Sequence, residues 1–462
     1  MNKFLEFLKS SGIYFIGNIL NKLAIVILLP LYTSKIDPSD YGYYDLTITY
    51  ITLLTSIIFI DIWTITMREM LGTKNIKERN KYLTNGVFIF SGCILVYSII
   101  IIIFQYFIPI KYIYLVYIYG ISICLQNFYS SCIRGFNLNK IFVISGISNT
   151  IITLILNIVM LNYLNIGYIA LYIAAIIGNL LQIIIIELRG HLIRKFNLKY
   201  LEYEKIRNMF MISIPLCLNS AFYWILFNYN RILISYKLGT YENGLYAVGT
   251  KFSSILSLVT TCFALAWQEV AFKDEYDKSR MYSIASNLYI NLLLIGIIFV
   301  LPIINILFPI MIGKEYIDAK YIVPWSLLAS VMSIFSGFLG TIFSAIRDNK
   351  SIMFATIVGS ITNVLLVNIL IIKIGVNAAS ISIFFGFFIN VIMRISILKK
   401  KINFKFNYFT LCKYIPVILI ISYIYINYGY KINLAILFFM VIIVILKYKY
   451  RILLFLKNKS KF

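Results

Sequence analysis

Residues 141–161 read IFVISGISNTIITLILNIVML, a run without a charged side chain. At a rise of about 1.5 Å per residue, a helix of this length spans the roughly 30 Å of hydrocarbon in a lipid bilayer. Similar runs recur between short polar breaks along the 462 residues, of which 61% are hydrophobic and 13% charged. Because soluble domains carry about 25% charged residues, the sequence predicts an all-α, polytopic membrane protein of about fourteen transmembrane helices.

The predicted membrane helices have boundaries that can err by several residues. They are residues 11–33, 43–66, 84–108, 112–133, 141–163, 166–188, 208–236, 244–270, 284–312, 320–346, 351–373, 376–398, 409–428 and 432–450. The N-terminal run has no small-residue cleavage site, so we expect it to remain as the first membrane helix.

The positive charges predict the orientation of the chain. With the N-terminus in the cytoplasm, 32 Lys and Arg residues fall on the cytoplasmic side, 7 on the outer side and 3 inside helices, together the 42 of the sequence. Since Lys and Arg are retained in cytoplasmic loops, this asymmetry predicts a multi-pass membrane protein with both termini in the cytoplasm.

Composition also argues against several other classes of function. The net charge of +24 is confined to alternate short loops, which favours attraction to anionic membrane lipids and argues against a nucleic-acid partner. His191 is the only histidine, and the six cysteines show no CxxC spacing. We therefore expect no metal, no cofactor and no catalytic constellation, and so a protein that is not an enzyme.

An internal repeat appears when the chain is shifted by about 200 to 214 residues. Its matched residues are Tyr41, Gly42, Tyr43 and Tyr44 with Asn243, Gly244, Leu245 and Tyr246; the turn Arg134–Lys140 with Arg347–Lys350; and Ile166, Gly167, Ala170 and Gly178 with Ile374, Gly375, Ala378 and Gly386. Each copy holds six predicted helices, an even number, so the two copies are parallel repeats. We predict an N-terminal lobe in residues 1–200, a C-terminal lobe in residues 201–400, and two appended helices with a basic tail in residues 401–462.

The sequence resembles the polysaccharide flippases of the multidrug/oligosaccharidyl-lipid/polysaccharide exporter superfamily. The resemblance covers residues 1 to about 400 and is carried mainly by Asp40–Leu46, Glu242–Phe252 and the turn Arg347–Lys350. It implies two six-helix lobes around a cationic cavity, which accepts a polyprenyl-pyrophosphate-linked glycan and opens alternately to the two sides of the membrane. No invariant motif assigns a functional residue.

The resemblance also implies the cargo and the partners. The cargo is an oligosaccharide repeat unit on an undecaprenyl-pyrophosphate-type carrier, flipped from the cytoplasmic to the outer leaflet for a surface polysaccharide such as capsule or the O-antigen of lipopolysaccharide. A polysaccharide polymerase and a chain-length regulator are the implied protein partners.

Three cations in the predicted helices are candidates for binding the pyrophosphate: Lys22, Arg231 and Lys251. A charge at the centre of a bilayer costs about 2.5 to 3.5 kcal/mol, so each needs a partner, water or a function. Polar residues lie on single faces of predicted helices one, two, seven and eight, and we predict that they line the cavity: Asn18, Asn21, Thr49, Ser220, Trp224, Asn228 and Ser254. In the alternative interpretation, Lys22 and Lys251 only snorkel or pair with Asp45 and Asp61, and the polar side chains join helices.

Two acidic residues, Asp61 and Asp45, are candidates for coupling transport to an ion. Asp61 lies in the apolar stretch Ile57–Trp63 and could exchange a proton or sodium; the competing interpretation is a helix-end residue near the cytoplasmic interface. Asn149 and Asn363 occupy equivalent positions in the repeat, and we expect them to form hydrogen bonds between helices.

Three other functions remain open. A multidrug antiporter of the same superfamily that exports cationic drugs would need acidic residues in its cavity, whereas the charges within the predicted helices here are mostly basic. A peptidoglycan-precursor flippase would differ only in the headgroup of its cargo. A membrane glycan polymerase would need a long outer loop with catalytic residues, and every predicted outer loop is short.

Overall fold

The computed structural model describes residues 24, 26–107, 110–254, 256–257, 260, 263, 267, 271 and 278–442, and all regular structure in these ranges is helical. The helices are α1 (26–35), α2 (Pro38–Ile58), α3 (Ile62–Gly72), α4 (Ile76–Phe107), α5 (Ile113–Gly135), α6 (Asn139–Val159), α7 (Ile169–Gly190), α8 (Leu192–Lys195), α9 (Tyr203–Lys237), α10 (Thr240–Lys251), α11 (Lys278–Met311), α12 (Val323–Ala345), α13 (Asn349–Ile374), α14 (Asn377–Ile402), α15 (Phe409–Asn427) and α16 (Tyr430–Ile442).

The helices have the length and apolarity of membrane spans. Within the described residues eight helices could cross a membrane, and the bent pair α2–α3 would be a ninth. Large apolar side chains such as Ile102 and Ile372 are 70% and 79% exposed, as expected for surfaces solvated by lipid. The chain is therefore a multi-pass, all-α membrane protein, as predicted. The predicted helices 11–33, 244–270 and 432–450 lie partly outside the described residues.

The chain forms two compact units. The first comprises the described residues of Met1–Val248 and Thr356–Gly386, and the second those of Gly249–Ala355 and Phe387–Phe462. In the first unit α3 packs against α4, α5 and α9. Its apolar core contains the rings of Phe59, Phe90 and Phe128, with centroids 5.1 Å apart for the first pair and 4.6 Å apart for the second. The proposed division into lobes at residues 200 and 400 stays a prediction.

One close contact within the first unit follows the internal repeat. A Cβ atom on Gly42 of α2 would collide with the Thr240 carbonyl oxygen and the Gly244 backbone nitrogen, and one on Gly244 of α10 would collide with the Pro38 carbonyl oxygen. The repeat equates Gly42 with Gly244, and hence Pro38 with Thr240. The contact is therefore reciprocal, as it is between surfaces related by a two-fold axis.

The second predicted helix, residues 43–66, is not continuous. The chain breaks between α2 and α3, which are bent by 47°. Ile60 and Asp61 have φ values of 44° and 54°, a left-handed conformation that is uncommon for Asp and costly for a β-branched residue. The prediction of one continuous helix was wrong because neither proline nor glycine marks this break in the sequence.

The second unit is held together by polar contacts as well as apolar packing. Helix α11 packs against α12 and α15. The Asn305 side-chain amide donates a 2.8 Å hydrogen bond to the Tyr425 carbonyl oxygen, and the Lys320 ammonium donates one of 2.9 Å to the Ile426 carbonyl oxygen. Side chains from α11 and from the segment before α12 thereby satisfy carbonyl groups at the end of α15.

Candidate functional site

An ion pair between Arg231 of α9 and Asp45 of α2 is the centre of the candidate site. The two side chains are only 17% and 13% exposed. Asp45 lies two turns into α2, and Arg231 lies near the end of α9. Both residues are sequence-predicted candidates, Arg231 for pyrophosphate binding and Asp45 for ion coupling, but the pairing between them was not predicted.

Two residues from α10 complete the surroundings of this pair. Asn243 is fully buried, and its amide donates a 2.8 Å hydrogen bond to the Gly42 carbonyl oxygen and lies 3.4 Å from a carboxylate oxygen of Asp45. The ring of Tyr246 lies 5.6 Å from the Arg231 guanidinium carbon, within cation–π distance. The guanidinium is thus held by a carboxylate and an aromatic face.

Of the predicted polar lining on α2 and α9, Thr49 and Trp224 are buried. The Trp224 indole donates a 3.1 Å hydrogen bond to the Thr52 hydroxyl, which joins α9 to α2. Thr49 is 3% exposed, and its hydroxyl donates to the Asp45 carbonyl oxygen. Ser220 and Asn228 on α9 are half-buried.

The remaining predicted cavity residues do not belong to the described part of the first compact unit. Lys251 and Ser254 belong to the second compact unit, where the Ser254 hydroxyl donates a 2.6 Å hydrogen bond to the Lys251 carbonyl oxygen. Lys22, Asn18 and Asn21 lie outside the described residues. Their roles as cavity residues stay predictions.

Asp61 occupies the break between α2 and α3. Its carboxylate accepts a 2.8 Å hydrogen bond from the Thr64 hydroxyl at the start of α3. The residue is half-buried and precedes the first residue of α3. This position agrees with the interpretation of Asp61 as a helix-end residue, and its ion-coupling role stays a prediction.

Arg394 on α14 is a charged residue that the sequence analysis missed. It is fully buried, and its guanidinium donates to the Ser336 carbonyl oxygen on α12. A Cβ atom on Gly340 would lie 3.0 Å from the same guanidinium nitrogen, so a glycine there leaves room for the arginine. The predicted helix 376–398 already contained Arg394, which could have been recognised by its place in that apolar segment.

The two repeat-related asparagines form hydrogen bonds between helices, as predicted. The Asn149 amide of α6 donates to Asn179 and Gln182 of α7 at 3.1 and 2.8 Å. Asn363 of α13 exchanges hydrogen bonds of 3.1 Å with Asn230 of α9. No group of three or more His, Cys, Asp or Glu residues that could hold a metal ion occurs in the described part of the chain.

Comparison with known proteins identifies the family. A family model described as "polysaccharide biosynthesis protein" matches residues 7–272, more than half of the sequence. The chain belongs to the polysaccharide biosynthesis protein family. No curated protein matches the sequence.

Solved structures show how far the fold of this chain is shared. A structure described as lipid II flippase MurJ in the inward closed conformation is 17% identical, with a TM-score of 0.68, and the match covers 96% of this chain and 100% of that one. An inward-facing multidrug resistance MATE family transporter of the MOP superfamily is 13% identical, with a TM-score of 0.67 over 83% and 98% of the two chains. An outward-facing structure of such a transporter has a TM-score of 0.58 at 13% identity, over 85% and 96%. The predicted family is thus confirmed by the family model, and the solved structures share the fold.

Proposed function

We propose that the protein flips a polyprenyl-pyrophosphate-linked oligosaccharide repeat unit from the cytoplasmic to the outer leaflet of a bacterial cytoplasmic membrane, for surface polysaccharide biosynthesis. The observation that carries the proposal is the buried Arg231–Asp45 pair in a chain of the polysaccharide biosynthesis protein family. A buried ion pair is rarely favourable for stability alone, since desolvation of the two charges offsets their attraction.

Arg231 has the chemistry that a pyrophosphate requires. Its planar guanidinium matches phosphate oxygens with two parallel hydrogen bonds, which an ammonium group does not. In the proposed mechanism Asp45 holds the guanidinium while the site is empty, and the pyrophosphate replaces the carboxylate when cargo enters. Arg231 then keeps a negative partner at each stage, and Asp45 takes up a proton as it is displaced, which is the ion-coupling role predicted for it. Neither residue is then left as an uncompensated charge in the membrane.

The other predicted residues have supporting roles in this proposal. Lys22 and Lys251 add positive charge for the phosphates, while Asn18, Asn21, Ser220, Asn228 and Ser254 offer groups for sugar hydroxyls, and Trp224 offers a face for a sugar ring. Thr49 supports the lining by fixing the α2 backbone next to Asp45. The polyprenyl tail stays in the lipid, and the two lobes open alternately to either side.

A second candidate is the flipping of a peptidoglycan precursor. This candidate is favoured by the similarity to the structure described as a lipid II flippase. The match covers the whole of that chain. The two cargoes share the polyprenyl pyrophosphate and differ in the attached headgroup. Complementation of a strain depleted of its lipid II flippase separates them, because only a peptidoglycan-precursor flippase restores growth.

Deletion of the gene tests the proposal in the cell. We expect loss of the surface polysaccharide together with accumulation of its lipid-linked repeat units on the cytoplasmic side. Unchanged surface polysaccharide combined with greater sensitivity to cationic drugs would instead support a multidrug antiporter.

A further inference from the structure

A groove of about 300 Å³ lies on the first compact unit, away from Arg231 and Asp45. It is formed by α4, α5 and the segment that contains α8. Its lining is apolar apart from one serine and one tyrosine: Leu83, Val87, Phe90, Ser91, Ile94, Leu125, Phe128, Tyr129, Leu192, Ile193 and Phe196.

The depth of the groove matches one leaflet of a bilayer. Along α4 its lining runs from Leu83 to Ile94, which at 1.5 Å per residue is about 16 Å. Half of the roughly 30 Å hydrocarbon thickness is about 15 Å. The segment between α7 and α9, which contains α8, and the segment before α4 both carry excess positive charge. In the predicted orientation both lie on the cytoplasmic side, so the groove belongs to the cytoplasmic leaflet.

Basic residues lie next to the groove-lining residues Leu192, Ile193 and Phe196 in the sequence. Arg189, Arg194 and Lys199 are exposed, and none of them forms an ion pair with any residue that the structure describes. Lys195 differs, because its ammonium donates to the Gly190 carbonyl oxygen and lies 4.0 Å from the centre of the Phe136 ring. Three cations thus remain available to an anionic group at the headgroup level.

The segment that carries these cations is fixed in place. The Glu187 carboxylate accepts hydrogen bonds from the backbone N–H groups of Leu192 and Ile193 at 3.1 and 3.2 Å, and Leu192 is buried. Ile193 and Leu198 are 64% and 67% exposed, as expected for a short segment lying in the membrane interface. The apolar groove is therefore about as deep as one leaflet, and the fixed segment beside it carries three exposed cations. This arrangement matches the acyl tail and the anionic headgroup of one lipid.

We infer that this groove binds an anionic phospholipid of the cytoplasmic leaflet, with one acyl chain against Val87, Ser91 and Phe128 and the phosphate near Arg194 and Lys199. Each basic residue near a membrane surface favours an anionic lipid by a factor of about five. Two of them distinguish an anionic from a zwitterionic headgroup by more than tenfold.

Native mass spectrometry of the detergent-purified protein tests this inference, with palmitoyl-oleoyl phosphatidylglycerol compared with the phosphatidylcholine of the same chains. The wild type should retain one phosphatidylglycerol about tenfold more tightly than phosphatidylcholine. Arg194→Glu combined with Lys199→Glu should remove that preference, whereas Arg207→Glu, at another exposed basic position, should not. Ser91→Trp should fill the groove and reduce retention of both lipids.

Ser396→Trp is the matched control for the groove substitution. Ser396 is also an exposed helical serine whose hydroxyl donates 2.9 Å to the carbonyl four residues earlier, as Ser91 does. Equal retention of the two phospholipids, no effect of Ser91→Trp, or displacement of phosphatidylglycerol by undecaprenyl phosphate at equal concentration would each overturn the inference. None of these measurements depends on transport activity.

Discussion

At the scale of single residues, the Arg231–Asp45 pair raises the question of whether a buried charge pair serves structure or cargo. Truncation of one partner leaves the other charge uncompensated and costs about 3 to 5 kcal/mol of stability. Loss of export in Arg231→Ala alone would therefore not distinguish the two roles.

A double variant separates them. Arg231→Gln combined with Asp45→Asn removes both charges and keeps groups that can hydrogen-bond to each other, so we expect a melting temperature close to that of the wild type. Glycan export should still be abolished, because no guanidinium remains for the pyrophosphate. Melting in detergent and surface polysaccharide in the deletion strain are the two measurements. Normal export by a stable double variant would refute the role of Arg231 in cargo binding.

Asp61→Asn tests ion coupling. The asparagine retains the oxygen that accepts the Thr64 hydrogen bond, so the break between α2 and α3 should persist. If Asp61 couples cargo to a proton, export should fall and lose its dependence on pH. Asp40→Asn, at the start of α2, serves as the control. Normal transport with unchanged pH dependence would end the coupling hypothesis.

The sequence identifies charged residues in apolar segments but not their partners. Arg231 and Asp45 were each selected by position, yet they are 186 residues apart in the chain, and no spacing rule links them. Arg394 was missed because it lies close to the basic end of α14, Lys399–Lys401, and resembles that cluster in a charge count. Its place inside an apolar segment could have distinguished it, and its burial against α12 shows the difference.

At the scale of helices, periodicity and apolar length predict that a helix exists better than they predict that it is unbroken. The predicted helix 166–188 corresponds to α7, Ile169–Gly190. The predicted helix 43–66 fails at Ile60 and Asp61, where tertiary contacts impose a left-handed backbone that these residue types disfavour. Phe59 and Ile62, on either side of the break, are buried in the apolar core, and the sequence alone does not reveal such contacts.

Gly42→Ala tests the close approach of α2 and α10. The added methyl group would collide with the backbone at Thr240 and Gly244, where no flexible side chain can move aside. We expect destabilisation by about 1 to 3 kcal/mol, measured as a lower melting temperature in detergent. Gly72→Ala is the control, because a Cβ atom there has no neighbour within 4 Å. Equal melting of the two variants would contradict the reciprocal contact.

A cluster of four charges fixes the segment before α9 to α4. Lys81 contacts Glu78 and Glu202 at 3.0 and 2.8 Å, and Lys205 contacts the same two carboxylates at 2.6 and 3.0 Å. The Asn85 side-chain amide also donates a 3.1 Å hydrogen bond to the Tyr200 carbonyl oxygen, and its oxygen accepts one of 3.0 Å from the Glu202 N–H. The cluster is partly exposed, so salt should weaken it.

The stability that this cluster contributes should depend on pH. Hydrogen bonds from Lys81 and then from Lys205 lower the pKa of Glu202. A carboxyl whose pKa is lower in the folded state stabilises the fold above its unfolded value, about 4.3, and loses that contribution as pH falls through the folded pKa. Glu202→Gln should therefore lower the melting temperature at pH 7, and the difference from wild type should shrink below about pH 4.

The control for this prediction is Glu204→Gln, an exposed acid on the same helix. It should change the melting temperature little at either pH, because Glu204 forms no ion pair with the described residues. A difference for Glu202→Gln that does not shrink as the pH falls below about 4 would show that its carboxylate charge is not what stabilises the segment.

At the scale of the whole molecule, the helical class, the internal repeat and the family were accessible from the sequence because each follows from patterns along the chain. The reciprocal Gly42 and Gly244 contact agrees with the repeat, and the family match agrees with the resemblance. The identity of the cargo is different, because structures described as a lipid II flippase and as a multidrug resistance transporter both share this fold, and a fold does not determine function.

Flipping in reconstituted vesicles is the most direct test of the proposed function. A fluorescent undecaprenyl-pyrophosphate-linked oligosaccharide is placed in proteoliposomes containing the full chain, and its exposure to an impermeant quencher is followed with time. We predict rapid exchange between leaflets with the wild type, and exchange no faster than in protein-free vesicles with the stable Arg231→Gln, Asp45→Asn variant. Wild-type protein that leaves the lipid-linked oligosaccharide in its original leaflet, under the coupling-ion gradients tested, would contradict the account.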